Sequence, residues 1–290
     1  MRRLPLVFIV ICLLASWTTG GYAATASVIN NHHNFGKGDN IRTTVAVTHS
    51  GSPVAVDMYL VLALPDQTPI FFEYNNGLVP RIATSDPSTW VKLVSNVVLP
   101  DGLDTGQIPL FSYTMSGQEE PGPYEWIIAV VASGTLNVID LNIAPFFVSP
   151  GPVGALVGTY YVTTSIPSFG ASGNATLEVV DSSPGVLTIS ANGSSAGYAS
   201  SFTGTGLLSN QGGISLTMHA DIFGTQVQGS GFMDANGTIS GTINVLSVGP
   251  FIQAITNISG TFSNGIINAT ETVHYTDGTS GTEYLTAVRQ

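Results

Sequence analysis

The run Ile214-Ser215-Leu216-Thr217-Met218-His219-Ala220-Asp221-Ile222 alternates without a break. Ile214, Leu216, Met218, Ala220 and Ile222 share one face, and Ser215, Thr217, His219 and Asp221 share the other. A period of two is the pattern of a strand with one packed and one wet side. Ile239, Ile243 and Val245 oppose Thr238, Ser240, Thr242 and Asn244 in the same way.

Working outward from this run, the second half of the chain reads as consecutive strands: Gly158 to Thr164, Ala175 to Asp181, Val186 to Ala191, Ala199 to Leu208, Ile214 to Ile222, Gln226 to Met233, Thr238 to Leu246, Ile252 to Phe262, Ile267 to Tyr275 and Thr282 to Val288. Asn236-Gly237 and Asn264-Gly265 have the composition of two-residue hairpin turns, and Asp277-Gly278 sits in a slightly longer link. A meander of about eight to ten strands tends to curl and close, so residues 155–290 are expected to form an antiparallel up-and-down barrel. Phe202-Thr203-Gly204-Thr205, Ile239-Ser240-Gly241-Thr242 and Ile258-Ser259-Gly260-Thr261 each put a glycine on the apolar face, as do Gly206, Gly229 and Gly231. Such glycines either let the sheet bend sharply at a barrel corner or leave room inside for a ligand.

Ser149-Pro150-Gly151-Pro152-Val153-Gly154 has two prolines, two glycines and no periodicity, which marks a linker over 149–154. Before it, strands are expected at Ile41 to Thr48, Val54 to Leu64, Ile70 to Tyr74, Leu110 to Met115, Tyr124 to Ala132 and Ala144 to Val148. Around seven strands in about 125 residues has the density of a β-sandwich. Phe35-Gly36-Lys37-Gly38-Asp39, Val56-Asp57-Met58-Tyr59 leading to Leu64-Pro65-Asp66, Pro121-Gly122-Pro123-Tyr124-Glu125-Trp126 and Ala144-Pro145-Phe146 resemble the immunoglobulin-like domains of secreted bacterial surface proteins. The resemblance covers residues 24–148 and implies a structural or adhesive module without a reaction of its own. Gln67 stands where that pattern has a turn glycine. Gly158-Thr159-Tyr160-Tyr161 in turn resembles the opening strand of calycin-type barrels, the group of lipocalins and avidin-like proteins, and implies a ligand held inside.

The N-terminus has the three parts of a secretory signal: Arg2 and Arg3, an apolar run from Leu4 to Ala15, and Gly21-Tyr22-Ala23, so residues 1–23 are read as a signal peptide cleaved after Ala23. Cys12, the only cysteine, lies within it and is followed by Leu13-Leu14, which does not fit lipid attachment. Loss of Arg2 and Arg3 takes the formal charge from −11 to −13, a sign that repels a phosphate backbone and excludes nucleic acid as a partner. Charged residues are only 9% of the chain, so solubility must rest on hydroxyls and amides. The expected location is outside the cytoplasm: periplasm, cell surface or medium.

A search for chemistry returns little. Gly278-Thr279-Ser280-Gly281-Thr282 fails the last position of a nucleophile elbow, and Gly204-Thr205-Gly206 and Gly229-Ser230-Gly231 meet Ser209 and Asp234 where a dinucleotide loop needs glycine. His32-His33 is read as part of a flexible mature N-terminus, and His49, His219 and His274 are isolated. Asp101-Gly102-Leu103-Asp104-Thr105-Gly106 lacks the ligand spacing of a calcium loop, and Glu119-Glu120 reads as a loop tip. Tyr59, Tyr74, Trp90, Tyr113, Tyr124 and Trp126 form either a carbohydrate-stacking surface or sandwich core. The sequons at Asn174, Asn192, Asn236, Asn257 and Asn268 follow from composition and matter only in a glycosylating host.

Glu271 shares a face with Ile267, Ala269, Val273 and Tyr275. It is either a buried carboxylate with a ligand role or raised pKa, or the mark of a register break or rim. The expected protein is therefore all-β and non-enzymatic, a secreted or periplasmic surface or adhesive protein without metal or cofactor, whose partner is a surface glycan, a protein or a small apolar ligand. Two alternatives remain at this level. One is a small-ligand-binding barrel using Glu271, Tyr275, Tyr160 and Met218. The other is an outer-membrane barrel, disfavoured by short strands and by the lack of tryptophan in the second half.

Overall fold

The computed structural model describes residues 23–84, 86–151, 153–195, 198–222, 225–244 and 252–290. The segment read from the sequence as a signal peptide, with Cys12, lies outside the described residues, apart from Ala23. In chain order the strands are β1 (Ala23–Asn30), β2 (Asn34–Phe35), β3 (Asn40–Ser50), β4 (Val54–Ala63), β5 (Pro69–Tyr74), β6 (Leu78–Ile82), β7 (Val94–Leu99), β8 (Leu103–Asp104), β9 (Ile108–Thr114), β10 (Gly122–Ala132) and β11 (Val138–Val148). A one-turn helix, α1 (Val153–Leu156), precedes β12 (Gly158–Ile166), β13 (Ala171–Ser183), β14 (Val186–Ser195), β15 (Tyr198–Leu208) and β16 (Ile214–Ile222). The chain ends with β17 (Thr225–Met233), β18 (Thr238–Asn244), β19 (Ile252–Ser263), β20 (Ile266–Tyr275) and β21 (Ser280–Arg289). The fold is all-β, as the alternation predicts.

The described residues form two compact units. The first contains residues 23–32, 40–114 and 122–147; the second contains 33–39, 115–121 and 148–290.

In the first unit, β3 carries β1 along one edge and β8 and β9 along the other. A second sheet runs β11-β10-β4-β5-β6, with β7 also paired to β4. Strands β4 and β10 are apolar on both faces apart from Asp57 and Glu125, because both of their faces are covered. Tyr59, Val61, Ile127 and Ala129 pack with Phe71 and Trp90, while Val56, Leu60, Trp126 and Val130 are buried on the opposite face. Strand β1 is an edge, yet it is not free to recruit another strand. The Ala26 and Val28 N–H groups donate to the side chains of Asp140 (2.7 Å) and Asn142 (2.9 Å) on β11. Because β1 precedes them, His32 and His33 are not part of a flexible terminus. The overlooked signal is the alternation of Ala24, Ala26 and Val28, all buried, with Thr25, Ser27 and Ile29.

The Leu64 to Thr68 turn contains Gln67 at φ 70°, so glutamine takes the left-handed conformation expected of glycine. The Gln67 N–H donates to the Leu64 carbonyl at 2.8 Å, and the Asp66 carboxylate accepts from the Thr68 N–H.

The second unit is a closed barrel in which each of β12 to β21 pairs with the next and β21 returns to β12. Asn264-Gly265 is a two-residue turn with both residues at positive φ. Asn236-Gly237 is not. The link runs from Asp234 to Gly237, because the Asp234 carboxylate accepts from both Asn236 N–H (2.9 Å) and Thr238 N–H (2.8 Å) and so widens the turn.

Candidate functional site

Alternation turns one row of each strand into the barrel. One outward row is hydroxyl and amide: Thr188, Thr205, Thr217, Ser230, Thr242 and Asn257 stand side by side across neighbouring strands, all exposed, while Val180, Leu207, Phe232 and Tyr284 are exposed on other rows. Tyr161, Val288 and Ile266 form a short exposed apolar row elsewhere on the wall.

One end of the interior, called here the base, is filled. Val153 and Leu156 of α1, Tyr160, Leu187, Ile214, Met233 and Phe262 form a single buried cluster. The Tyr160 hydroxyl donates to the Leu156 carbonyl at 2.7 Å, and burial pushes its pKa up despite the nearby Arg289 charge. Residues 33–39 run as a strap under this end. The Asn34 amide donates to Asp181, Ser183 and Val186 and accepts from the Gly185 N–H, while Asp39 accepts from Gly36 N–H (2.7 Å) and Gly154 N–H (3.0 Å).

The inward glycines answer the question of bend or volume. A methyl group on Gly204 would stand 2.9 Å from the Thr217 carbonyl oxygen, and one on Gly241 would stand 2.9 Å from that of Ser230. On Gly260 it would collide with the Asn268 carbonyl. The adjoining strand's backbone takes that space, so at these positions glycine serves curvature.

Toward the opposite end, or mouth, the interior turns polar. Glu271 on β20 lies directly across from Glu283 on β21, and both face inward in the rows of Val273 and Tyr275 and of Leu285 and Ala287. The register brings the two carboxyl groups within reach of each other. Burial first, then the hydrogen bond and negative charge of Glu283, hold Glu271 well above the ordinary carboxylate range. The Glu271 side chain is half-buried. Alongside, β19 gains one extra residue against β20 between Ile255 and Ile258, so a register break does exist, on the neighbouring strand. The Thr164 hydroxyl of β12 is buried without a hydrogen-bond partner.

The structure does not gather the sequence-predicted residues into one site. Tyr160 is part of the packed base. Tyr275 belongs to the mouth, where its ring lies over Gly281 and its hydroxyl is 3.3 Å from that of Ser168. Met218 faces inward from β16, between Gly204 and Gly229 on the adjoining strands. Glu271 alone has the chemistry, and its partner Glu283 is absent from the sequence-based set. The alternation Gly281, Glu283, Leu285, Ala287 carried the signal, which becomes a pair only once the Thr276 to Thr279 turn fixes the register.

Elsewhere, Tyr59, Trp90, Tyr124 and Trp126 are core, while Tyr74 and Tyr113 are exposed on different sheets, so no aromatic platform forms. Asp101 and Asp104 accept backbone N–H groups of Gly51 and Gly106, and Glu119 accepts from Ser116 and Gly117. Among the described residues no group of His, Cys, Asp and Glu is placed to hold a metal ion.

No protein-family model matches the chain, and no curated protein does. Among solved structures it is similar to EF1p2_mFAP2b bound to DFHBI (15% identity, TM-score 0.30, covering 48% of this chain and 96% of that one). It is also similar to Rv2717c from M. tuberculosis (11%, 0.36, 48% and 94%) and to the sporulation control protein Spo0M from Bacillus subtilis (13%, 0.27, 69% and 80%). At such TM-scores these likenesses carry no argument about fold or function.

Proposed function

We propose that the protein is exported and acts without catalysis as a periplasmic or surface protein, its first unit an immunoglobulin-like spacer or adhesive module and its barrel a rigid, hydroxyl-covered body. The observation that carries this reading is the outward row from Thr188 to Asn257. It hydrates well with almost no charge, suits hydrogen bonding to glycan or protein surfaces, and in lipid would leave its hydroxyls unpaired. Fractionation of the native host with N-terminal sequencing tests it. A mature chain beginning at Ala24 outside the cytoplasm is expected, with binding on a glycan or surface-protein array. An intact N-terminus in the cytosol, or steady turnover of a small molecule, overturns it.

A second reading, favoured by the inward Glu271 and Glu283, is a barrel that takes a small, largely apolar molecule carrying a hydrogen-bond donor. Native mass spectrometry of protein purified from its host is expected to show that adduct, and its loss in Glu271→Gln.

A further inference from the structure

Acidic pairs directly across an antiparallel ladder repel when both are ionised. In most proteins a nearby cation relieves this, and here the sequence leaves none to do so. In the barrel unit, Lys37 and Arg289 are the only lysine and arginine. Lys37 lies against Gly117, and Arg289 is held at the base, where its Nη1 donates to the Ala155 carbonyl at 3.1 Å. The undescribed stretches of the barrel, 196–197, 223–224 and 245–251, contain no lysine, arginine or histidine.

Among the described residues the other titratable side chains placed on the inner rows are few. Tyr275 lies on β20 toward the mouth, Tyr160 on β12 at the base, and Asp181 on β13 is engaged by the strap. His219 and His274 are on outward rows, His274 bonded to the Ser280 hydroxyl at 2.7 Å. Next to the pair on the adjoining strands are Ile258 of β19, directly across from Glu271, and Thr164 of β12, across from Leu285, and neither is charged. The seam is also weakly supported on its β19 side, where the register slips beside Glu271.

We propose that the β20–β21 seam is a proton-operated latch: one proton shared between Glu271 and Glu283 keeps the hairpin paired and Tyr275 seated over Gly281, and ionisation of both carboxylates loosens that end of the barrel. The proton comes from and returns to solvent, and no bond other than O–H is made or broken. The loosening is local because the base is fixed independently by α1, Tyr160 and the strap. An exported protein meets external pH directly, which makes such a latch responsive to its surroundings.

Hydrogen–deuterium exchange of the whole mature protein at pH 5 and pH 8, corrected for intrinsic exchange rates, tests the latch. Amides of residues 268–274 and 281–286 are expected to exchange about tenfold faster at pH 8, those of residues 214–218 being unchanged. Glu271→Gln and, separately, Glu283→Gln are each expected to abolish the difference, since one neutral partner suffices. Equal corrected exchange at both pH values in the wild-type protein overturns the proposal. So does a pH dependence that survives in either glutamine variant.

Discussion

Asp57 and Glu271 are both carboxylates in the interior of an all-β unit, and they have opposite fates. Asp57 on β4 is 1% exposed, and its oxygens accept from Lys92 Nζ (2.7 Å), Asn96 N–H (2.7 Å) and Gly134 N–H (2.9 Å). Burial pushes its pKa up, but these donors and the Lys92 charge outweigh that and hold it at about 2. Glu271 is buried across from another acid and is pushed the other way. Sequence context looks alike in the two cases, a lone acid in an otherwise apolar alternate row of its strand. What differs is what the register brings opposite: donors and a cation in one unit, a second carboxylate in the other.

The largest effect is expected at Asp57. Asp57→Asn is expected to destabilise the first unit by about 3 kcal/mol, since Lys92 loses its partner and backbone donors meet an amide. Trp90 and Trp126 both lie in that unit, so tryptophan fluorescence during urea unfolding reads it selectively. Next in size is the acid response. The Asp57 contribution, about 2 to 3 kcal/mol, is fully present above the ordinary value of 3.8 and is lost as pH falls toward 2, measurable by the same fluorescence. Gly241→Ala is expected to cost the barrel about 2 kcal/mol by pressing a methyl on the Ser230 carbonyl, read from tyrosine fluorescence or circular dichroism.

Smaller and of opposite sign is Glu271→Gln, expected to stabilise the barrel at pH 8 by up to about 1 kcal/mol. For a carboxyl raised in the fold, stability is full below its ordinary value of 4.5 and falls as pH rises, so the gain should vanish in acid. Thermal melts at pH 4 and pH 8 check both signs. Least of all, Gln67→Gly should gain about 0.5 to 1 kcal/mol in the first unit by relieving a left-handed glutamine.

The barrel was legible because Ile214 to Ile222 and its neighbours alternate cleanly, and a closed meander needs only nearest-neighbour pairing. Local composition also identified the Asn264-Gly265 turn. Strand β1 was hidden because its alternation follows closely on the apolar run Leu4 to Ala15, and Ala23 was read as the end of a signal segment. The turn at Asn236-Gly237 was misjudged because a single carboxylate, Asp234, sets its width. Glu283 was missed because a pair is a property of register, which no single strand encodes. The strap could not be read at all: nothing in residues 33–39 says that their amide partners lie at Asp181 and Val186.

That strap has a consequence for the order of events at the ribosome. Asn34 bonds to Val186 across 152 positions, so the segment that finishes the base of the barrel is made long before the barrel itself. It must wait, unpaired, while the first unit's strands are synthesised, and the base can lock only after the β13–β14 hairpin has emerged. A fragment beginning after the proline-rich link would contain every barrel strand and still lack the strap bonded to its base.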